Sequence, residues 1–209
     1  MRDTIICIGR QYGSGGREVG QKLAQELGVP YYDKLLLQQA AQRQGIALHA
    51  VEQHDEKPVG LSSMGAGNLF ADQAALTTAF YSQEQRVYEA QRQTILDLAG
   101  QGSCVIIGRC AASVLRSAGA NCLSVFIYGD EDDKLERIAR RNGIDRKAAA
   151  RRRQKMDRMR RRYVDFYSDT PWGDPSSYDL MISTSHCGIQ GAVQLIQKAL
   201  EQEGGAAHE

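Results

Sequence analysis

Long apolar runs, paired cysteines and an excess of either charge are all missing from this 209-residue sequence. With 26 basic residues against 25 acidic ones, the net charge is +1, so composition alone argues for neither a nucleic-acid nor a membrane partner. The five cysteines, Cys7, Cys104, Cys110, Cys122 and Cys187, are odd in number and include no C-x-x-C pair. Cys7, Cys104 and Cys122 fall in or beside strand-like apolar runs and read as buried thiols, which fits a reducing cytoplasm. The histidines, His49, His54, His186 and His208, show no metal-ligand spacing. Arg2 and Asp3 precede an apolar run of strand length, a pattern expected of neither a signal peptide nor a membrane span. The apolar and charged fractions, 42% and 24%, are ordinary for a globular protein, and the length suits one domain with room for insertions.

What is present is a rhythm of strands and helices. Apolar runs at 4–8, 29–33, 103–108, 122–128 and 178–183 are candidate strands. Most are nearly continuous rather than alternating, as strands buried on both faces are. Helical spacing separates them. A short segment is expected at 35–41. A longer one covers 83–99, with Ser82 as N-cap and Gly100 just past its end. Further helices cover 132–142, ending at Gly143, and 189–203, ending at Gly204. Alternation of this kind predicts an α/β domain with a parallel sheet covered on both sides, its ligand site at the carboxyl ends of the strands. Two stretches exceed what a crossover needs: residues 44–81 and 137–177. Both are expected to be insertions within a single domain whose core is 1–43, 82–136 and 178–203.

The first strand runs into "YGSGGRE", residues 12–18, and then into helical spacing at Val19, Leu23 and Leu27. Strand, glycine loop and helix are the context of a phosphate-binding loop. Gly13, Gly15 and Gly16 permit the close approach and positive φ of an amide nest, and Ser14 adds a hydroxyl. The helix N-terminus behind it favours an anion. The usual pattern G-x-x-x-x-G-K-[ST] is nevertheless broken. Gly16 stands at the lysine position and Arg17 follows it, as either a substitute charge or a solvated first-turn arginine.

These motifs together resemble the cytidylate kinase-like family of P-loop nucleoside monophosphate kinases. The resemblance rests on "IICIGRQYGSGGREVGQKLAQELGVPYYDKLLL", "DEKP", "IIGRC", "DRMRRRYVDFY" and "WGDPSSYDLMISTS", and spans nearly the whole chain. The loop also resembles that of archaeal-type cytidylate kinases, "PGSGTTT", which likewise lacks the lysine. One departure stands out: ordinary cytidylate kinases show "GRD" after the third strand, whereas this chain has Gly108, Arg109, Cys110.

The resemblance implies a five-stranded parallel P-loop sheet flanked by helices, a monophosphate-binding helical insertion at 44–81 and an arginine-rich lid at 137–177. It also implies ATP as phosphate donor, Mg²⁺ as ion and a small nucleotide, CMP or dCMP, as acceptor. Gly13, Ser14, Gly15, Gly16, Arg17 and Glu18 would hold the donor. Glu18 stands where related loops carry a hydroxyl, so metal contact is one role open to it. Arg109 would hold the acceptor monophosphate. Asp33, followed by Lys34, would orient the acceptor or hold magnesium through water, and is equally placed to cap the next helix. Residues 137–162 carry eleven arginines and two lysines against Asp145 and Asp157, a net +11. Arginine's fork suits phosphate, and Arg158, Arg161 and Arg162 are the expected lid contacts. "WGDPSSYDL" reads as a structural anchor for the lid's return. Two further readings stay open: a nucleotide sensor with a degenerate loop, and a kinase for another small acceptor. A nucleic-acid binder using the arginine tract would show steep salt dependence, but would have no use for a phosphate loop.

Overall fold

The computed structural model describes residues 4–33 and 73–205. Lys34, the helix expected at 35–41 and most of the insertion expected at 44–81 lie outside the described residues. The elements, in chain order, are β1 (Ile5–Arg10), α1 (Gly16–Leu27), β2 (Tyr31–Tyr32), α2 (Gln73–Ala99), β3 (Cys104–Ile107), α3 (Ala111–Ser117), β4 (Leu123–Tyr128), α4 (Glu131–Asn142), α5 (Arg146–Tyr167), β5 (Leu180–Ser183) and α6 (Thr184–Gly205). A 3₁₀ turn, Pro175–Ser177, leads into β5.

All five strands run parallel in the order β2-β3-β1-β4-β5. The apolar run of β1 is buried on both faces because strands pair with it on either side. Ile6, Ile8, Val105, Val125 and Ile127 pack with Val19 and Leu23 of α1 and with Val193 and Ile196 of α6 on one face. Ile5, Cys7, Cys104 and Ile106 pack with Ile95 of α2 and Leu115 of α3 on the other. Cys7 and Cys104 are buried free thiols and Cys122 is partly buried. After β1 the chain moves outward to β2 and back to β3, then crosses to β4 and β5 on the opposite side. Such a reversal at the central strand opens a crevice at the carboxyl edge, where α/β sheets bind ligands.

Two helix limits differ from the sequence expectation. Ser82 does not cap α2, because the helix is already under way from Gln73. The helix expected at 189–203 is the part of α6 that follows a break at Gly188, whose backbone is non-helical. The short helix α3 carries little periodic signal, and its N-cap is Cys110 in a left-handed conformation without a side-chain cap.

The arginine-rich excursion is dominated by a single helix, α5, started by Asp145, whose carboxylate accepts from Ala148 N at 2.6 Å. It packs on α4 through Leu135, Ile138 and Ala149 and is tied there by Arg153 to Glu131 at 2.8 Å and by an Arg146–Asp132 pair. Among the described residues no helix is long and apolar enough to cross a membrane.

Candidate active site

The loop after β1 is shaped by backbone. Gly13 and Gly15 hold φ of 86° and 80°, values an L side chain rarely adopts. Gly15 is also the N-cap of α1, with no side-chain cap. The N–H of Val19 reaches Gly15 O at 3.0 Å. Among the described residues the N–H groups of Gly15, Gly16, Arg17 and Glu18 find no acceptor. Four donors at an uncapped helix start form a cradle for an anion.

Ser14 contributes differently from the hydroxyl donor expected of it. It is 2% exposed, and its Oγ sits 2.9 Å from Gln11 O and 3.0 Å from Ile127 O. The hydroxyl turns inward and fastens the loop to β4. Thr184 completes the fastening by donating to Ser14 O at 2.6 Å. Sequence reading missed Thr184; its place at the end of the last strand was the available signal.

On one side of the loop lies a small recess of about 170 Å³, lined by Gly13, Lys134, Arg137, Arg140 and Ser185 among others. Arg137 Nη1 reaches Glu18 Oε2 at 3.1 Å, so Glu18, with metal contact as one open role, pairs with an arginine. Arg17 pairs with Asp33, which is 6% exposed, and that charge is therefore balanced on the spot.

On the other side lies a larger cavity of about 400 Å³ between the ends of β1 and β3 and the inner face of α5. Arg10, Arg109, Cys110, Arg160, Tyr163 and Trp172 are among its walls. Gly108, Arg109 and Cys110 are all left-handed, with φ of 74°, 61° and 55°. Two consecutive non-glycine residues in this region are strained. The turn throws Arg109 off the strand, its guanidinium 5.6 Å from the centre of the Tyr163 ring. Burial pushes the Cys110 thiol up to about 12, so the residue after Arg109 presents a neutral group to the cavity.

The phase of α5 decides which of its arginines meet the site. Asp157 is 8% exposed and accepts from Tyr12 N at 2.7 Å, clamping the helix to the loop. Three residues on, Arg160 donates to Arg10 O at 3.0 Å and lies over the Tyr12 ring at 5.4 Å. Arg158 and Arg162, two of the expected lid contacts, are exposed and not brought to the loop. Arg161, also exposed, stacks on Trp172 at 5.6 Å, at the cavity margin. Arg160 is the arginine that sequence reading passed over within the same tripeptide.

Beneath these lies Arg10, the last residue of β1. Its guanidinium extends across Gly108, where a Cβ would collide with it. Burial lowers its pKa, and the nearby charges of Arg160 and Arg109 lower it further. In "WGDPSSYDL" the two carboxylates make structural contacts: Asp174 accepts from Ser176 N at 2.9 Å, and Asp179 accepts from Ser124 N and pairs with Arg116, both at 2.7 Å, while Trp172, Ser177 and Tyr178 of the same segment line the larger cavity.

A family model, the cytidylate kinase-like family, matches residues 5–186. A cytidylate kinase of Pyrococcus horikoshii is 24% identical over 199 residues, covering 94% of this chain and 88% of that one. One from Archaeoglobus fulgidus is 30% identical over 152 residues, covering 68% and 82%. An uncharacterized protein from Eubacterium ventriosum is 32% identical, with a TM-score of 0.70 over 95% of this chain and 98% of that one. A shikimate kinase from Bacteroides thetaiotaomicron, 17% identical with a TM-score of 0.52 and coverage of 95% and 98%, shares the fold. The match takes in the glycine loop, the arginine helix and the last strand, and the chain belongs to the cytidylate kinase-like family.

Proposed function

We propose that the protein transfers the terminal phosphoryl group of ATP to a nucleoside monophosphate, with CMP or dCMP as the first candidates. The observation that carries this reading is the pairing of the uncapped α1 start, with its four open N–H donors, and a 400 Å³ cavity walled by Arg10, Arg109 and Arg160 immediately beside it. Donor phosphates fit the backbone cradle, and the acceptor phosphate fits the arginine side. Phosphoryl transfer asks for in-line placement and charge neutralisation rather than covalent help. The bond from phosphorus to the ADP oxygen breaks while a new bond to an acceptor phosphate oxygen forms. An acceptor already ionised has no proton to lose.

Among the described residues no three ligating side chains gather into a metal cage. Magnesium keeps waters and binds through substrate phosphates with few carboxylates. It would arrive with ATP, held through water by Asp33 or Glu18, and would neutralise charge on the phosphate oxygens. Support for cytidine as the base comes from the relatives' names. The neutral thiol of Cys110 supports a second reading, a kinase for a different small acceptor.

A coupled assay of ADP release separates these readings, using Mg–ATP with CMP, dCMP, UMP, AMP, GMP and small hydroxylated metabolites. Turnover with CMP or dCMP, reduced at least about 100-fold in Arg109→Ala, is the expected result. A catalytic arginine contributes roughly 10³ to 10⁵ in such enzymes. Silence across the panel with ATP binding intact overturns the nucleoside monophosphate kinase reading and leaves a kinase for another acceptor or a nucleotide sensor.

A further inference from the structure

Set against G-x-x-x-x-G-K with Gly15 as its second glycine, the loop changes at two positions. The lysine position is Gly16, and the position of the first glycine is Arg10. The two changes are in contact. A Cβ built on Gly16 would lie 2.6 Å from Arg10 Cβ and 3.1 Å from Ile127 Cβ. Real Cβ atoms do not approach that closely, so any side chain at residue 16 would displace Arg10. Conversely, a glycine at residue 10 would open the space that a lysine at 16 needs.

Charge balance points the same way. The cations around the loop mostly have counter-groups: Arg17 has Asp33, Arg137 has Glu18, and Lys134 has Glu131 at 3.4 Å and Gln11 Oε1 at 2.8 Å. Arg160 has Asp157 at 3.7 Å together with the Arg10 carbonyl. Among the described residues Arg10 pairs with no carboxylate, although it lines the cavity and its neighbours include Arg160, Arg109 and Arg17. Its depressed pKa has the same origin, burial among like charges. The nearby oxygen of Tyr31 stays a neutral phenol, since burial raises its pKa. Converging guanidinium groups repel one another until an anion joins them.

We propose that Arg10 takes over the role of the absent loop lysine, entering the phosphate site from the end of β1 rather than from the start of α1, and that Gly16 is glycine because Arg10 occupies its side-chain space. Arg10, Arg109 and Arg160 then form a three-arginine receptor for a phosphate dianion at the junction of cradle and cavity. The identity of that anion rests on the phosphotransfer reading above; the existence of the receptor does not.

The test uses the full chain as wild type, Arg10→Ala, Arg10→Gly, Gly16→Lys and the double variant Arg10→Gly/Gly16→Lys. Calorimetric binding of pyrophosphate, Mg–ATP and CMP is read beside ADP release, with circular dichroism to follow folding. Arg10→Ala is expected to weaken pyrophosphate and CMP binding at least about tenfold and turnover about 10³-fold or more, the lower end of the range of a phosphoryl-transfer arginine. Gly16→Lys alone should lose binding, and the double variant should recover at least tenfold in turnover over Arg10→Gly. Binding and turnover of Arg10→Ala within threefold of wild type overturn the proposal, as does failure of the folded double variant to exceed Arg10→Gly. Should Arg10→Ala not fold, Arg10→Lys and Arg10→Gln replace it, and equal activity of these two overturns the proposal. If the wild type shows no turnover but Arg10→Ala still loses pyrophosphate, the nucleoside monophosphate kinase reading falls while the Arg10 receptor stands.

Discussion

Both walls of the crevice use left-handed backbone, and they use it in opposite ways. In the loop after β1 the residues at positive φ are Gly13 and Gly15, for which the conformation carries no steric penalty. After β3 they are Gly108, Arg109 and Cys110, and the last two are held against their preference. On the proposed reading the loop would hold phosphate through amides, so its side chains matter chiefly by being absent or turned inward, as Ser14 is. The opposite wall works through side chains, and the strain there is what aims Arg109 outward from a buried strand. One wall is common to many phosphate-binding proteins; the other is where a particular acceptor would be chosen.

The comparison is broken most severely on the amide side. Gly15→Ala places a Cβ 2.5 Å from Ile189 Cδ1 on a residue at φ 80°. Loss of ATP affinity beyond about 100-fold is expected by calorimetry, since the donors that position phosphate would shift together. Retained affinity would mean that the cradle is not the donor site.

On the arginine wall, the expectation is sharper because two neighbours differ. Arg160→Ala should reduce turnover about 100-fold, whereas Arg162→Ala, at an exposed position, should stay within about threefold in the same steady-state assay. Equal losses in the two variants would show that α5 rotates or moves before reaction.

The smallest effect concerns strain itself. Arg109→Gly removes a left-handed non-glycine residue costing of order 1–3 kcal/mol, while glycine's looser unfolded chain takes back about 0.4–1 kcal/mol. The expected outcome is a gain near 1 kcal/mol, about 2–4 °C in Tm for a domain of this size, alongside lost activity. A lower Tm would show that Arg109 stabilises the fold through its partners.

This contrast also explains what the sequence could reveal. The loop was legible because its chemistry lies in glycine, whose spacing directly encodes backbone shape, and the strands were legible because burial on both faces leaves continuous apolar runs. The lid arginines were not. "RMRRRY" offers a guanidinium at nearly every phase of the helix, and only the packing of Asp157 against Tyr12 N selects Arg160 over Arg158 and Arg162. Ser82 misled because serine inside a helix carries the same letter as serine at its start; α2 continues through it from Gln73. Arg10 was hidden for another reason. A strand-terminal arginine signals nothing until Gly16 is seen pressed against its Cβ.

Trp172 is the chain's single tryptophan, and it lines the larger cavity with its ring edge-on to Phe126 at 5.3 Å and Arg161 above it. The molecule therefore carries its own chromophore in the wall of that cavity. Filling of the cavity can be followed by intrinsic fluorescence in stopped flow, without a label and before any chemistry occurs. An acceptor could thus be screened for by light alone.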